Sequence, residues 1–117
     1  MTVDARDAIA LTQALVRCPS VTPEEGGALD LLQSVLDAAG FVTQRKIFHA
    51  EGTPDVDNLY ARYGKGSPCL LFAGHTDVVP TGDESLWTHP PFGGVIDKGV
   101  LYGRGTTDMK GGVAASV

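Results

Sequence analysis

Apolar residues recur at helical spacing twice within the first forty positions of the chain. The first set precedes Pro19 and consists of Ile9, Leu11, Leu15 and Val16. The second set precedes Gly40 and consists of Leu29, Leu32, Val35, Leu36 and Ala39. Because proline and glycine commonly follow helix ends, the pattern predicts one helix before Pro19 and another before Gly40. Thr22, Pro23 and Glu25 have the residue types expected for the start of the second helix, with Thr22 as its N-cap.

Three further segments have the composition of β-strands. Residues 41–48 mix β-branched and aromatic residues with polar ones, which predicts an edge strand with one solvated face. Residues 58–63 alternate again, which predicts a second strand. Residues 69–73 are continuously apolar, which favours a central strand covered on both faces. Asp97-Lys98-Gly99 predicts a hairpin turn between two short strands. A last helix is expected from about Lys110.

Composition and charge narrow the class of protein. The chain has 117 residues with nine Lys and Arg against fourteen Asp and Glu, so its formal net charge is −5. This balance, without a basic cluster, argues against a nucleic-acid partner. The length allows one domain at most, and 43% hydrophobic residues suffice for a core. No stretch approaches the roughly 20 apolar residues of a membrane span and no signal-peptide pattern is present, so we expect no membrane partner and a cytoplasmic location.

The two cysteines carry little functional information. Cys18 and Cys69 follow no CxxC pattern and lie beside apolar residues, so we expect both to be buried free thiols. No serine lies in a GxSxG elbow, and neither cysteine has an activating context. Nucleophilic catalysis is therefore not predicted.

Gly74-His75-Thr76-Asp77 directly follows the predicted central strand. Ligands of α/β sheets bind beyond the carboxyl ends of the strands, so His75 is placed to face a cleft. Asp77 can accept a hydrogen bond from the other ring nitrogen, as carboxylates do for histidines that bind metals. A histidine that only bonds a loop fits the same four residues, and this segment alone leaves both interpretations open.

The second candidate segment runs from Gly103 to Gly112 and places Asp108 just before the last predicted helix. Read alone, it favours a helix-capping role for Asp108 over a metal-binding one. Gly103-Arg104-Gly105 begins a GxGxxG pattern, but Asp108 stands where the third glycine belongs. Its charge would repel a phosphate, which argues against dinucleotide binding.

Together, the segments FAGHTDVVPTGDESLWTHPPFGG and LYGRGTTDMKGG resemble the metal-site half of the catalytic domain of M20-type zinc aminoacylases, deacylases and peptidases. The resemblance covers nearly all of this chain but only the first part of a family member. It implies an α/β fold in which residues 1–117 are the N-terminal portion of a three-layer, zinc-peptidase-like catalytic domain with a central mixed sheet. It also implies a homodimer formed through a dimerisation domain that this sequence lacks.

The same resemblance assigns residues to a site. It implies that His75 ligates one zinc ion, that Asp108 bridges two, and that cobalt can replace zinc. It implies that Asp77 is a catalytic-site residue that orients His75, and that a cis peptide bond follows Asp108. The family's Glu-Glu pair and two further metal ligands follow the DMKG segment and do not occur in this sequence. None of the glutamates present matches those positions: Glu24, Glu25, Glu51 and Glu84.

The implied activity is metal-assisted hydrolysis of a small N-acyl amino acid. A water molecule between the two metal ions attacks the amide carbonyl, and a glutamate moves the proton. Zinc sites use three or four protein ligands, so we expect these 117 residues alone to be inactive. The substrate stays open, because acetylornithine deacetylase and other acyl-amino-acid hydrolases share the motifs. A function of a different class is also open, in which the chain is a non-catalytic metal-binding or interaction fragment.

Overall fold

The computed structural model describes residues 3–117 and has mixed α/β content. The helices are α1 at Ala8–Val16, α2 at Ala28–Ala38 and α3 at Gly111–Ser116. The strands form two antiparallel pairs, β1 at Val42–Phe48 with β2 at Val56–Arg62, and β3 at Val95–Asp97 with β4 at Val100–Tyr102. The mixed class agrees with the prediction. Within the described residues the sheets are these two pairs, so the predicted three-layer arrangement and central mixed sheet are not confirmed.

The first helix forms as predicted. Asp7 is its N-cap, with a side-chain oxygen that accepts a hydrogen bond from Ala10 N at 2.9 Å, and the helix ends before Pro19. The core lies between the three helices and is built from the buried residues Leu11, Leu15, Ala28, Leu32, Val35 and Ala114. Packing of α1 against α3 therefore connects the start of the chain to the segment that follows Asp108.

The predicted start of the second helix is wrong. Thr22 is not its N-cap, because the Thr22 backbone N–H donates to Val78 O at 3.1 Å and is held outside the helix. The helix begins instead after Gly27, whose φ of +88° suits glycine. Glu25 stabilises this start by accepting hydrogen bonds from the backbone N–H groups of Gly27 and Leu29, both at 2.9 Å. The predicted end is confirmed at Gly40, which has a φ of +93°.

The β1–β2 hairpin docks on α2 through polar side chains. Arg45 Nη1 donates to Asp30 Oδ1 on α2 at 2.7 Å, and its Nε donates to Asp57 Oδ1 on β2 at 3.1 Å. A second contact joins Arg45 Nη2 to the same Asp57 carboxylate. Both strands expose their other face, as their alternating sequences predicted. The turn Asp97-Lys98-Gly99 is also confirmed, since Lys98 and Gly99 both have positive φ between β3 and β4.

The prediction of a buried central strand at residues 69–73 is wrong for the chain as described. Leu70, Leu71 and Phe72 are 79%, 73% and 65% exposed, and no strand of residues 3–117 pairs with this segment. A strand covered on both faces needs pairing partners and a packed layer on each side, and neither is present there. A cavity of about 650 Å³ separates the segment from β2 and α2.

The cysteines differ from their predicted burial. Both are free thiols, as expected, but Cys69 lies in the unpaired segment and is exposed. Cys18 is half-buried after the end of α1. Within the described part of the chain, no helix combines the length and the hydropathy that a bilayer span requires.

Replacing Arg45 with Met should lower the free energy of unfolding by about 1 kcal/mol, because the partly buried Asp57 loses its ionic partner. The Arg45 hydrogen bond holds the pKa of Asp57 below its ordinary value of 3.8. A group with a lowered folded-state pKa stabilises the fold above its unfolded pKa and loses that effect as the pH falls. The difference between variant and parent should therefore shrink below pH 3.8 in urea unfolding experiments. Arg6→Met is the control, since its pair with Asp4 is exposed and screened by solvent, so its loss should change stability little.

The double substitution Leu70→Lys, Phe72→Lys should reduce self-association of the chain. Contiguous exposed apolar side chains drive association, and these two contribute little to the core. Sedimentation velocity over a range of concentrations should show less association, with the free energy of unfolding changed by no more than about 0.5 kcal/mol. Leu32→Lys, in the buried core, should unfold the chain. Equal association of the double variant and its parent would contradict the prediction.

Candidate metal site

The structure brings the three predicted site residues together. His75 Nε2 lies 3.1 Å from Asp108 Oδ1, although the two residues are 33 positions apart in the chain. His75 Nδ1 lies 3.0 Å from the backbone oxygen of Asp77 and 3.4 Å from its carboxylate Oδ1. The main-chain oxygen is thus the nearer partner, whereas the sequence suggested the carboxylate. Their role as metal ligands stays a prediction.

These contacts define how the imidazole is presented. A carbonyl oxygen only accepts hydrogen bonds, so the bond to Asp77 O places a proton on Nδ1. In the neutral ring, Nε2 then carries the lone pair and faces the Asp108 carboxylate. The Asp77 carbonyl raises the pKa of His75, and the carboxylates of Asp108 and Asp77 add to this effect while burial opposes it. The surroundings of the ring therefore favour a positive charge at Nε2, either a proton or a metal ion.

The spacing of the donor atoms fits a shared metal ion. Two zinc ligands at about 2.0–2.2 Å with a tetrahedral angle lie about 3.3 Å apart, close to the distance between His75 Nε2 and Asp108 Oδ1. Both side chains are accessible, at 48% exposed for His75 and 87% for Asp108. Imidazole nitrogen and carboxylate oxygen are donors that zinc accepts. Across residues 3–117, however, no group of three or more His, Cys, Asp or Glu side chains is arranged to hold a metal ion.

Asp108 does not cap the last helix. Lys110 occupies the N-cap position of α3, and no side chain caps that helix. The Asp108 side chain instead points to His75, so the capping interpretation of this segment is wrong. The cis peptide bond implied after Asp108 is confirmed between Asp108 and Met109.

The segment that carries His75 is fastened to the loop after α1. Ser20 is fully buried, and its hydroxyl donates to Thr76 O at 2.7 Å. Val78 N donates to Ser20 O at 2.9 Å, and Val21 forms a parallel bridge with Val78. His75 therefore projects from backbone that is held on both sides of Asp77.

The segment that carries Asp108 is fastened to the same loop. Lys110 N donates to Gly105 O at 2.9 Å, which closes a turn around Asp108. The Lys110 side chain is fully buried, its Nζ donates to Cys18 O at 2.9 Å, and the ammonium lies 5.9 Å from the centre of the Phe92 ring. Burial lowers the pKa of Lys110. Sequence reasoning missed both Ser20 and Lys110, because a buried serine or lysine has no distinguishing pattern and lysine is almost never fully buried.

The remaining histidines have other polar partners. His49 Nδ1 lies 2.7 Å from Asp55 Oδ1. The His89 ring packs against the Tyr102 ring at an angle of 55°, and its Nε2 lies 3.8 Å from Asp97 Oδ2. The cavity beside residues 69–73 is lined by His75, Asp77 and Met109 among others, so the candidate site opens into it.

The segments that carry the candidate site resemble a known protein family. Residues 71–117 match the family model described as Peptidase family M20/M25/M40, so the predicted resemblance to the M20 family is confirmed for the segments that carry His75 and Asp108.

Comparison with individual named proteins gives a more specific similarity than the family model does. The chain is 64% identical over 106 residues to the succinyl-diaminopimelate desuccinylase of Methylobacterium nodulans, with 91% of this chain and 27% of the relative covered. It is 58% identical to that of Beijerinckia indica over 92% of this chain and 28% of the relative. It is 56% identical to that of Rhodopseudomonas palustris over 100% of this chain and 30% of the relative. The chain is therefore similar to succinyl-diaminopimelate desuccinylases and spans less than a third of their length.

Gly105→Ala should destabilise the fold more than Gly99→Ala. Both glycines have positive φ, +86° and +80°, so alanine costs about 1–2 kcal/mol at either position. A Cβ at Gly105 would also lie 2.5 Å from Val78 Cγ1, whereas one at Gly99 meets nothing within 4 Å. The overlap adds about 1–3 kcal/mol at Gly105. Urea unfolding of the two variants measures the difference, and equal losses would contradict the close approach of Gly105 to Val78.

Proposed function

We propose that the chain is the metal-site portion of an M20-type hydrolase that cleaves N-succinyl-LL-2,6-diaminopimelate into succinate and LL-2,6-diaminopimelate, in diaminopimelate and lysine biosynthesis. The observation that carries the proposal is the 3.1 Å approach of His75 Nε2 to Asp108 Oδ1. The substrate follows from the names of relatives that are 56–64% identical to the chain. Because the chain spans less than a third of those relatives, the activity is assigned to a longer protein.

The proposal includes an architecture for that longer protein. Residues 1–117 would be the N-terminal portion of a three-layer catalytic domain, with residues 69–73 as a central strand of its mixed sheet. Support comes from the continuous apolar sequence of residues 69–73 and from the exposure of its side chains in the chain as described. The longer protein would form a homodimer through a separate domain.

Each site residue then has a role. His75 Nε2 and an oxygen of Asp108 would hold one zinc ion, and the other Asp108 oxygen would face a second; cobalt accepts the same donors. When bound, zinc supplies Lewis-acid character and a water molecule that loses its proton near neutral pH. Asp77 keeps the proton of His75 on Nδ1 and so leaves Nε2 free to ligate. The exposure of His75 and Asp108 leaves their donor atoms open to a small N-acyl amino acid.

The chain does not supply every group that amide hydrolysis needs. A general acid or base must move a proton to the leaving amine. Glu25 is engaged by the first residues of α2, and Glu84 accepts a hydrogen bond from Thr81 at 2.9 Å. Neither glutamate is hydrogen-bonded to His75 or Asp108. We therefore expect no turnover from these 117 residues alone.

Two other functions are weighed against this one. Acetylornithine deacetylase, or another M20 acyl-amino-acid hydrolase, would use the same ligands with a different substrate. A non-catalytic metal-binding or interaction fragment is the second candidate. It is favoured by one observation, the lack of a third metal donor beside His75 and Asp108 in the described part of the chain.

A chimera tests the proposed function. This chain would replace the matching 106 residues of the Methylobacterium nodulans desuccinylase, and release of succinate from N-succinyl-diaminopimelate would be measured. We expect an active chimera. Asp77→Asn should lower kcat/KM by less than the roughly 10–100-fold that is typical when an orienting partner is lost, because it removes the carboxylate at 3.4 Å but keeps the backbone oxygen at 3.0 Å. His75→Ala and Asp108→Ala should lower it further, because each removes a donor atom.

Three controls accompany the chimera. His49→Ala should leave its activity unchanged, since His49 is paired with Asp55. A second chimera, in which this chain replaces the matching segment of an acetylornithine deacetylase, should be less active on its substrate than the desuccinylase chimera. If the deacetylase chimera is the more active of the two, the deacetylase function is favoured instead. The isolated chain with zinc should show no turnover. An inactive chimera that nevertheless folds and binds zinc would overturn the assignment.

A further inference from the structure

The two segments that carry the candidate metal donors share one anchor. His75 belongs to a segment hydrogen-bonded to Ser20, and Asp108 belongs to a turn whose last residue, Lys110, is bonded to Cys18. Cys18 and Ser20 are themselves joined, because Ser20 N donates to Cys18 O at 2.8 Å. The Cys18 carbonyl thus accepts two hydrogen bonds, one from each side of the site. A continuous set of contacts runs from the Asp108 turn to the His75 segment.

The distance between the two donor atoms is not set by the donor side chains alone. Asp108 is 87% exposed, and among residues 3–117 its side chain contacts His75. His75 is half exposed and touches Asp77 and Asp108. Their separation therefore depends on where the two backbone segments are held.

The anchoring side chains, in contrast, are fully buried. Ser20 and Lys110 both have no exposed surface. A buried ammonium or hydroxyl that loses its acceptor is left with an uncompensated polar group, so each strongly favours its present partner. Any shift of the Asp108 turn away from α1 would break the bond from Lys110 to Cys18 O. Any shift of the His75 segment would break the bond from Ser20 to Thr76 O.

We propose that Ser20 and Lys110 are positioning residues of the metal site, which set the distance between His75 Nε2 and Asp108 Oδ1 by fastening both segments to the Cys18–Ser20 turn. The inference rests on the proposed function, since it concerns the same site. Neither residue touches the metal or the substrate. Each acts through the donor whose segment it holds.

Cobalt titration of the chimera described above, in which the rest of the relative can supply further donors, tests this role when it is followed by visible absorption. The variants are Ser20→Ala and Lys110→Met, the second of which keeps a long apolar side chain without the donor. Each should raise the Kd for Co²⁺ about 10–100-fold, as is typical when a residue that orients a metal ligand is removed. The ligand-field absorption of the bound ion should change as well. The double variant should raise the Kd by less than the product of the two single effects, because loss of either hydrogen bond already allows the distance between the two donor atoms to change.

The controls separate positioning from stability. Thr12→Val removes another mostly buried hydroxyl, which donates within α1 to Ala8 O at 2.6 Å, and Leu32→Ala weakens the core. Both should lower stability in urea unfolding and leave the Kd and the absorption spectrum of the folded chain unchanged. If Ser20→Ala and Lys110→Met behave like these controls, the positioning role is overturned.

Two further variants separate this inference from the proposed function. His75→Ala and Asp108→Ala should each abolish the Co²⁺ spectrum. If they do not, the metal site itself is wrong and the positioning role falls with it. If they do while Ser20→Ala and Lys110→Met bind Co²⁺ like the parent, only the positioning role fails. Ser20→Ala and Lys110→Met in the chimera should raise the Kd for zinc by a similar factor, which gives a second readout with another metal.

Discussion

The geometry of the site depends on one buried ammonium group. An unpaired charge away from water costs several kcal/mol even after the protein relaxes, so Lys110 must be held where an acceptor can meet it. The acceptor is the carbonyl of Cys18, at 2.9 Å. This carbonyl lies just beyond the C-terminal end of α1, where the helix dipole is negative and backbone oxygens lack helical partners. The end of α1 is therefore matched to the cation in both charge and hydrogen bonding.

Close backbone contacts also hold the Asp108 turn against α1. A Cβ at Gly103 would lie 2.3 Å from Val16 Cγ1 of α1, so only glycine allows the chain to pass that close before the Asp108 turn. Helix α1 is itself held by the core through Leu11 and Leu15, which are fully buried. Apolar packing fixes α1, the end of α1 fixes Lys110 and Ser20, and these fix the segments from which His75 and Asp108 project.

Local patterns in the sequence predicted the local structure well. The ends of both helices, the hairpin at Asp97-Lys98-Gly99 and the cis bond after Asp108 were all found where the sequence or its family resemblance placed them. The errors come from contacts between distant residues. Thr22 fails as a cap because its N–H is taken by Val78, and residues 69–73 are unpaired because strand pairing is a property of the whole sheet. Burial of Lys110 is equally non-local, since its acceptor lies 92 positions away.

The unpaired segment at residues 69–73 and the candidate metal site border the same cavity. Its lining includes the exposed apolar side chains of residues 70–72 together with His75 and Asp77. Polypeptide that filled this space would cover the apolar side chains and pair with the unpaired backbone, and it would also face His75, one of the two candidate donors. The relatives are long enough to provide it, since this chain covers only 27–30% of their length. The same additional polypeptide could therefore cover the apolar segment and supply further donors, which is why the proposed activity is assigned to a longer protein although this chain carries two candidate donors.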